Sequence, residues 1–387
     1  MEGSIRKRGD AWQVRVYAGR DSVTGRKRWL TKTVRGGKRE AQRERANLVA
    51  EVNRGVATGT DATVNDLIER WLEAASHDWS PSTLVQTKSA IRTHIEPLLG
   101  PIKLRKLKAA DLDRFYAELR KRPGRRSPNL SPATIRRVYV IIHAALEQAV
   151  KWGWIAVNPA DASSPPKIRQ AEIVPPSPEG VAGLLAMVEV DDPEFFTYLR
   201  VAVNSGARRS QVCGLQWGDI ELTTGAVKFA RAVVDGPDGI AVKGTKTDRI
   251  YRVTLDAGTL DSLTHHRKAM EERAELCGVE LSAKAFVFSY EPDCSAPWRP
   301  DGVTSRWMKW RKKANLDGVR LHDLRHFMAT TMLTAGVPVS VVAGRLGHAR
   351  PATTLNVYSH FVDAGDKVAA DVLATIMDEA ASVGTER

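Results

Sequence analysis

Six residues in the C-terminal half of this 387-residue chain have types and order that could break and remake a phosphodiester. They are Arg208 in Ser205-Gly-Ala-Arg-Arg, Lys246 in Lys-Thr-Asp-Arg, His322 and Arg325 in Leu321-His-Asp-Leu-Arg-His, His348 in Leu346-Gly-His, and Tyr358 in Thr353-Thr-Leu-Asn-Val-Tyr. Attack on a phosphodiester builds negative charge on the non-bridging oxygens. Guanidinium groups suit that charge because they stay ionised and donate in a planar fork. A tyrosine hydroxyl can be the nucleophile, but its pKa near 10 demands nearby cations or a proton acceptor. His322 could take that proton, and His348 could hydrogen-bond the phosphate. The departing 5′ oxygen needs a proton too, which Lys246 could give, with Lys243 as a rival close in sequence. Transition-state stabilisation of this kind is electrostatic and needs no metal where the protein supplies the cations. Taken singly, each residue has a plainer explanation as a surface charge or a satisfied structural side chain. Order and local context together argue for a site.

These residues need a scaffold. Residues 163–178 contain Ser-Ser-Pro-Pro and Pro-Pro-Ser-Pro, an extended, semi-rigid run that reads as an interdomain linker. After it, the pattern predicts helices over roughly 179–217, strands near 226–234 and 250–255 with Gly236 and Gly239 in the connection, and helices from about 257 to the end. Lys246 falls in the turn leading to the second strand. His322 and Arg325 are three apart and share a face if their segment is helical. All six candidates therefore lie in one mixed α/β, mainly helical domain, 179–387.

Two segments precede it. In 1–60, Ala11-Trp-Gln-Val-Arg-Val-Tyr-Ala18 alternates as a strand, Gly25 marks a turn, Arg28–Val34 returns, and residues 38–54 look helical, giving a small α+β module. Residues 61–162 read as all-helical. Two helices begin alike, at Ser80-Pro-Ser-Thr and Ser131-Pro-Ala-Thr, where serine caps and proline takes the first helical position. Ile135, Val138, Ile142, Ala145, Leu146 and Ala149 form a core stripe on the second, with Arg136 and Arg137 beside it. That leaves the polar faces and the Lys103–Lys108 loop as candidate contacts for a polyanion.

The net charge is +13, concentrated at the N-terminal end: residues 1–60 hold 15 Lys and Arg against 6 Asp and Glu, and residues 61–160 hold 16 against 10. Two successive basic segments point to double-stranded nucleic acid, bound through phosphate neutralisation. No apolar run is long enough for a membrane span, and the charged N-terminus lacks the apolar core of a secretion signal. Cys213, Cys277 and Cys294 have no C-x-x-C spacing and read as reduced thiols of a cytoplasmic protein.

On these motifs the chain resembles the tyrosine recombinases of the phage integrase family. Ser205-Gly-Ala-Arg208-Arg-Ser-Gln211 with Leu215-Gln-Trp-Gly-Asp-Ile220 approximates the family's first box. His322-Asp-Leu-Arg325-His, Leu346-Gly-His348 and Tyr358 ten residues on match the second closely. The resemblance implies Tyr358 as nucleophile, Arg208 and Arg325 as phosphate clamps, Lys246 as general acid, and His322 and His348 as the assisting pair. It implies strand exchange through a 3′-phosphotyrosine, without metal or nucleotide cofactor. The layout of the first 160 residues resembles integrases with an arm-type DNA-binding domain ahead of a core-binding domain. Those enzymes act as homotetramers on synapsed DNA, with DNA-bending and directionality proteins as accessories. Two departures stand out: Gln211 where the family usually has an acid, and Ser205 where threonine is common. At the C-terminus, Val368, Val372, Leu373 and Ile376 have helical spacing, for packing in cis or, by the resemblance, on a neighbouring protomer. Two other readings remain open on sequence: a DNA-binding regulator using a helix-turn-helix over Met328–Leu346, and a type IB topoisomerase-like enzyme.

Overall fold

The computed structural model describes residues 3–20, 25, 27–53, 60–124, 127–168, 174–236, 239–244, 250–362 and 371–377. The chain divides into two compact units, Met1–Gln170 and Ala171–Arg387, with the boundary inside the proline-rich run.

The first unit opens with an antiparallel sheet in the order β1 (Gly3–Arg8), β2 (Ala11–Arg20), β3 (Lys27–Val34), followed by helix α1 (Lys38–Asn53). Strand β1 has no counterpart in the sequence reading, because Ile5 is its only large apolar residue and alternation cannot show. Its register against β2 sets Ile5 opposite Val14. Val14 and Val16 are fully buried with Ala41 and Leu48 of α1. The opposite face carries a cross-strand aromatic pair, Tyr17 and Trp29, with the Arg15 guanidinium 4.4 Å from the Trp29 ring centre.

The rest of this unit is helical: α2 (Val64–Ala75), α3 (Pro81–Ala90) running through a π-helical turn into α4 (Glu96–Leu99), α5 (Ala109–Lys121) and α6 (Pro132–Lys151). Ser80 and Ser131 each accept the backbone N–H three residues on, so the two Ser-Pro starts are true caps. All six residues of the expected α6 stripe are buried in one core with Leu67, Leu112 and Phe115. Within the Lys103–Lys108 loop, Leu104 and Leu107 are also core, and Lys103 and Arg105 pair with Asp61.

The second unit begins with α7 (Pro178–Asp191), α8 (Pro193–Ser205) and α9 (Arg209–Cys213). Ser177 caps α7, so the end of the proline-rich run is already helix start. Strands β4 (Ile220–Glu221), β5 (Ala226–Phe229) and β8 (Tyr251–Thr254) form one antiparallel sheet, while β6 (Arg231–Gly236) and β7 (Gly239–Gly244) form a separate hairpin. The single strand expected over 226–234 is thus two strands in two sheets. Residues 239–244, expected as connection, pair as a strand along β6. Helices α10 (Ala257–Leu276), α11 (Pro300–Lys313), α12 (Asp323–Thr334), α13 (Val339–Arg345) and α14 (Pro351–Val362) follow. Between α10 and α11 the chain is not helical as expected. It instead lays backbone against 215–218, with Trp217 N–H donating to Ala285 O at 3.0 Å and Val287 N–H to Leu215 O at 2.9 Å. No helix among the described residues is long and apolar enough to cross a membrane.

Asp192, between α7 and α8, ties this unit together. It caps α8 at Phe195 N–H, receives Arg306 Nε at 2.9 Å, and accepts from Trp310 Nε1 at 3.1 Å. Trp298, Trp307 and Trp310 are fully buried around the same junction. Asp192→Ala should cost about 3 kcal/mol, because it removes a cap and strands a largely buried guanidinium and an indole N–H. Urea unfolding of the full chain checks this, and a loss no larger than a surface substitution would show that the junction is not structural.

Candidate active site

The site is assembled from two turns, at Gly206 and Gly347, from the start of α12 and from a kink in α14. At the end of α8, Gly206 takes the left-handed conformation (φ 64°), closing the helix with its N–H on Ala202 O. Ser205, fully buried, donates Oγ–H to Val201 O and accepts from Ala207 N–H at 3.1 Å. That bracing delivers Arg208 to the N-cap of α9 with its side chain exposed. Gln211, buried one turn on, accepts the Arg208 N–H through Oε1 at 3.1 Å. The same oxygen accepts the Tyr251 hydroxyl of β8, also at 3.1 Å.

His322 stands at the N-cap of α12 and Arg325 lies one turn inside, almost completely buried. The Arg325 guanidinium donates to Gly206 O (2.6 Å), to Leu346 O (2.7 Å) and to His348 Nε2 (2.9 Å), and lies within hydrogen-bonding reach of Tyr251. An arginine can only donate, so His348 Nε2 must be the acceptor and the ring proton sits on Nδ1. From there it is donated to Thr354 Oγ1 at 2.8 Å. His348 itself is placed by the end of α13, where its N–H returns to Ala343 O and Gly347 adopts φ 64°. A Cβ on Gly347 would stand 2.6 Å from the Tyr251 ring, so this glycine is required twice, for its backbone angle and for the close approach.

Tyr358 lies in α14 at a kink (φ −124°, ψ 18°) and is fully buried. Its hydroxyl is 2.7 Å from Nδ1 of His326, not in contact with His322. His322 instead meets the His326 ring edge-on, with ring centres 5.0 Å apart. The structure therefore brings Arg208, His322, Arg325, His348 and Tyr358 into one cluster and adds His326, Tyr251, Gln211 and Thr354. Lys246 lies outside the described residues. Its rival Lys243 is on β7, opposite Ala232. His326 had a signal in the sequence, since it closes the quoted box four residues after His322 and so shares its helix face. Tyr251 had none, as an aromatic opening a strand is an ordinary core residue.

The electrostatics follow from burial. Desolvation, then the charge of Arg208, holds Arg325 down to about 10, and no carboxylate is among its partners within the described residues. Burial raises Tyr358 to about 12, with Arg325 opposing, so the resting hydroxyl is protonated. His322 keeps an exposed edge. Even so, desolvation, followed by His326, Arg325 and Arg208, holds it down to about 4. Desolvation, Arg325 and Arg208 do the same to His348. His326 is also lowered, chiefly by burial. The cluster is a set of fixed donors with cationic charge and neutral imidazoles, arranged for an incoming anion.

Two outcomes test this arrangement. Gly347→Ala should destabilise the chain by about 1–3 kcal/mol and displace His348. A thermal midpoint unchanged from wild type would mean that the turn tolerates a side chain. The unfolded chain protonates its histidines near 6.5, whereas His322 and His348 in the folded chain resist protonation down to about 4. The unfolded state then binds more protons between those values, so stability must fall as pH drops through that window. Urea midpoints at neutral pH and at about pH 5 should show a lower value in acid. A higher one would contradict the neutral-imidazole assignment.

Residues 182–364 match the phage integrase family, and residues 63–120 match the phage integrase N-terminal SAM-like domain. The chain is 24% identical over 369 residues to the ICEBs1 integrase of Bacillus subtilis, spanning 95% of this chain and 97% of that one. The Tn1549 transposon integrase, solved in complex with a circular intermediate DNA, is similar with a TM-score of 0.69 at 17% identity, over 80% of this chain and 99% of that one. A lambda integrase tetramer bound to a Holliday junction gives 0.60 at 16% identity, over 93% and 95%. At such identities the two structures bear on the fold alone. With both halves of the chain matched in sequence and a buried tyrosine set among arginines and histidines, this protein belongs to the phage integrase family of tyrosine recombinases.

Proposed function

We propose that this chain is the integrase of a phage or an integrative mobile element, cleaving and rejoining DNA at specific sites through a 3′-phosphotyrosine. The observation that carries this reading is the buried Arg325 guanidinium, held by carbonyls and a neutral imidazole, with Tyr358 in the same cluster. A cation kept desolvated without a carboxylate is a ready receptor for a phosphate.

In this reading Tyr358 Oη attacks the scissile phosphorus, and Arg208 and Arg325 bind the non-bridging oxygens. His322 and His348 assist at the phosphate. His348 Nε2 is taken by Arg325, so a bound phosphate would enter by sharing or displacing that bond. Lys246 donates the proton to the 5′ oxygen. That assignment rests on its sequence context.

The working partner is double-stranded DNA. Residues 1–60, whose sheet exposes basic residues and the Arg15–Trp29 stack, would bind arm-type sites, and 61–162 would bind the core site. Residues 163–178 would link them to the catalytic domain 179–387. Synapsis would engage four copies. Residues 371–377 are helical, with Val372, Leu373 and Ile376 exposed, which favours docking on a neighbouring protomer. DNA-bending and directionality proteins would assist in the cytoplasm of a bacterial host, at the nucleoid. The α12–α13 pair has a helix-turn-helix outline, but its residues Arg325, His326 and Leu346 are spent on the site, which leaves the regulator reading without support.

Covalent capture tests the proposal. Wild type and Tyr358→Phe are denatured rapidly in cells containing host and element DNA, and attached ends are sequenced. Adducts from wild type alone, through 3′ phosphates at a few recurring positions, are expected. Scattered attachment would indicate a topoisomerase, and adducts from neither protein would leave only DNA binding.

A further inference from the structure

The proton on Tyr358 has to go somewhere when its oxygen attacks phosphorus, and the described residues offer few acceptors. Arg208 and Arg325 can only donate. His348 has Nε2 occupied by Arg325 and Nδ1 by Thr354. His322 presents its ring to His326 rather than to the tyrosine. His326 remains, with Nδ1 at 2.7 Å from the Tyr358 hydroxyl and the two rings 5.6 Å apart at their centres.

We propose that His326 is a further catalytic residue, the base that takes the Tyr358 proton during cleavage and returns it during rejoining. The assignment rests on the reading of Tyr358 as nucleophile. In cleavage the Oη–P bond forms while Oη–H breaks and its proton passes to His326 Nδ1. The P–O5′ bond breaks with its electron pair on O5′, which is protonated by a separate acid. In rejoining, the 5′-hydroxyl attacks phosphorus, the Oη–P bond breaks, and Tyr358 recovers its proton from His326.

The surroundings of His326 suit this exchange. It sits on the second turn of α12, where its own carbonyl accepts Thr330 Oγ1 at 2.9 Å. The groups facing it are His322, Asp323 and Arg325 on α12, Arg320 just before that helix, and Tyr358 on α14. Burial keeps the ring neutral at rest, so that one nitrogen is free of a proton and can accept the hydroxyl. Once protonated, the imidazolium gains from the Asp323 carboxylate one turn back, against the opposing charges of Arg320 and Arg325. Asp323 is itself fixed by Arg320 at 2.8 Å. The resting tyrosine is far more basic than the ring, so transfer must accompany attack, as bonding to phosphorus makes Oη acidic.

The test uses full-length protein on a nicked duplex carrying the core site recovered by covalent capture, with either a normal or a 5′-bridging phosphorothiolate scissile linkage. Sulfur leaves without a proton, so the second substrate isolates activation of the nucleophile from protonation of the leaving group. Single-turnover adduct formation is followed from about pH 5.5 to about 9.5 for wild type, His326→Asn and His326→Gln. Asparagine keeps a polar atom near the place of Nδ1 but cannot accept a proton, and glutamine is the second variant if asparagine fails to fold. With DNA affinity retained, the variants should be slower by on the order of 10²- to 10⁴-fold on both substrates, and the acid limb of the wild-type profile should disappear. Rates within about threefold of wild type, an unchanged acid limb, or rescue by the sulfur leaving group would overturn the assignment. A wild type that forms no adduct overturns the nucleophile reading beneath it, and this assignment with it.

Discussion

The catalytic unit is organised around one buried cation. Arg325 lies where two helices end, with its guanidinium on the last carbonyls of α8 and α13, Gly206 O and Leu346 O. Helix C-termini carry partial negative charge, so two dipole ends stand where a carboxylate would otherwise be needed. A carboxylate would cancel the charge and leave nothing for a phosphate. Carbonyls instead hold the guanidinium in place and leave its charge available, and the depressed affinity of Arg325 for its proton reflects that incomplete compensation. The ends of both helices and the His348 ring are fixed on this group. The turn at Gly206 leads directly to Arg208, and the turn at Gly347 leads directly to His348.

Gln211 acquires a physical meaning from the same arrangement. The family usually has an acid here, and the amide oxygen of this chain accepts two bonds, from the Arg208 backbone and from Tyr251. Tyr251 in turn reaches Arg325 and lies under Gly347. A neutral acceptor can thus brace both arginine-bearing segments, through backbone and hydroxyl, without adding negative charge to a site that must attract an anion. Burial keeps Tyr251 protonated, raised to about 12, so it remains a donor to that oxygen.

The proposed nucleophile rests under restraint. Tyr358 is buried, protonated and hydrogen-bonded to His326 at a kink in its helix. A reactive tyrosinate exposed in the absence of DNA would have no productive use. On the proposed mechanism, deprotonation would wait for phosphorus and for the cations that bind it. In that mechanism a histidine adjoining the tyrosine would also give the reversible reaction a local place to store one proton between cleavage and rejoining.

Much of this was readable from residue order. The second box, with His322, Arg325, His348 and Tyr358 at their intervals, named residues that the fold gathers into one cluster, and the Ser-Pro caps at Ser80 and Ser131 marked helix starts because capping is local. The α6 stripe followed from periodicity for the same reason. Strand β1 escaped because a basic strand with one isoleucine has no alternation, and the break between β5 and β6 escaped because membership of a sheet is decided by partners distant in sequence. The role of Tyr251 was likewise invisible, and that of His326 was only hinted at by its place in the second box. Both depend on contacts between segments that are far apart in the chain: Tyr251 with Gln211, and His326 with Tyr358. Sequence by itself determined which functional groups the protein possesses, since their types and local turns are written residue by residue. Only the tertiary structure decided which imidazole meets the tyrosine and what balances Arg325, because hydrogen bonds and desolvation depend on ångström-scale distances that no spacing along the chain encodes.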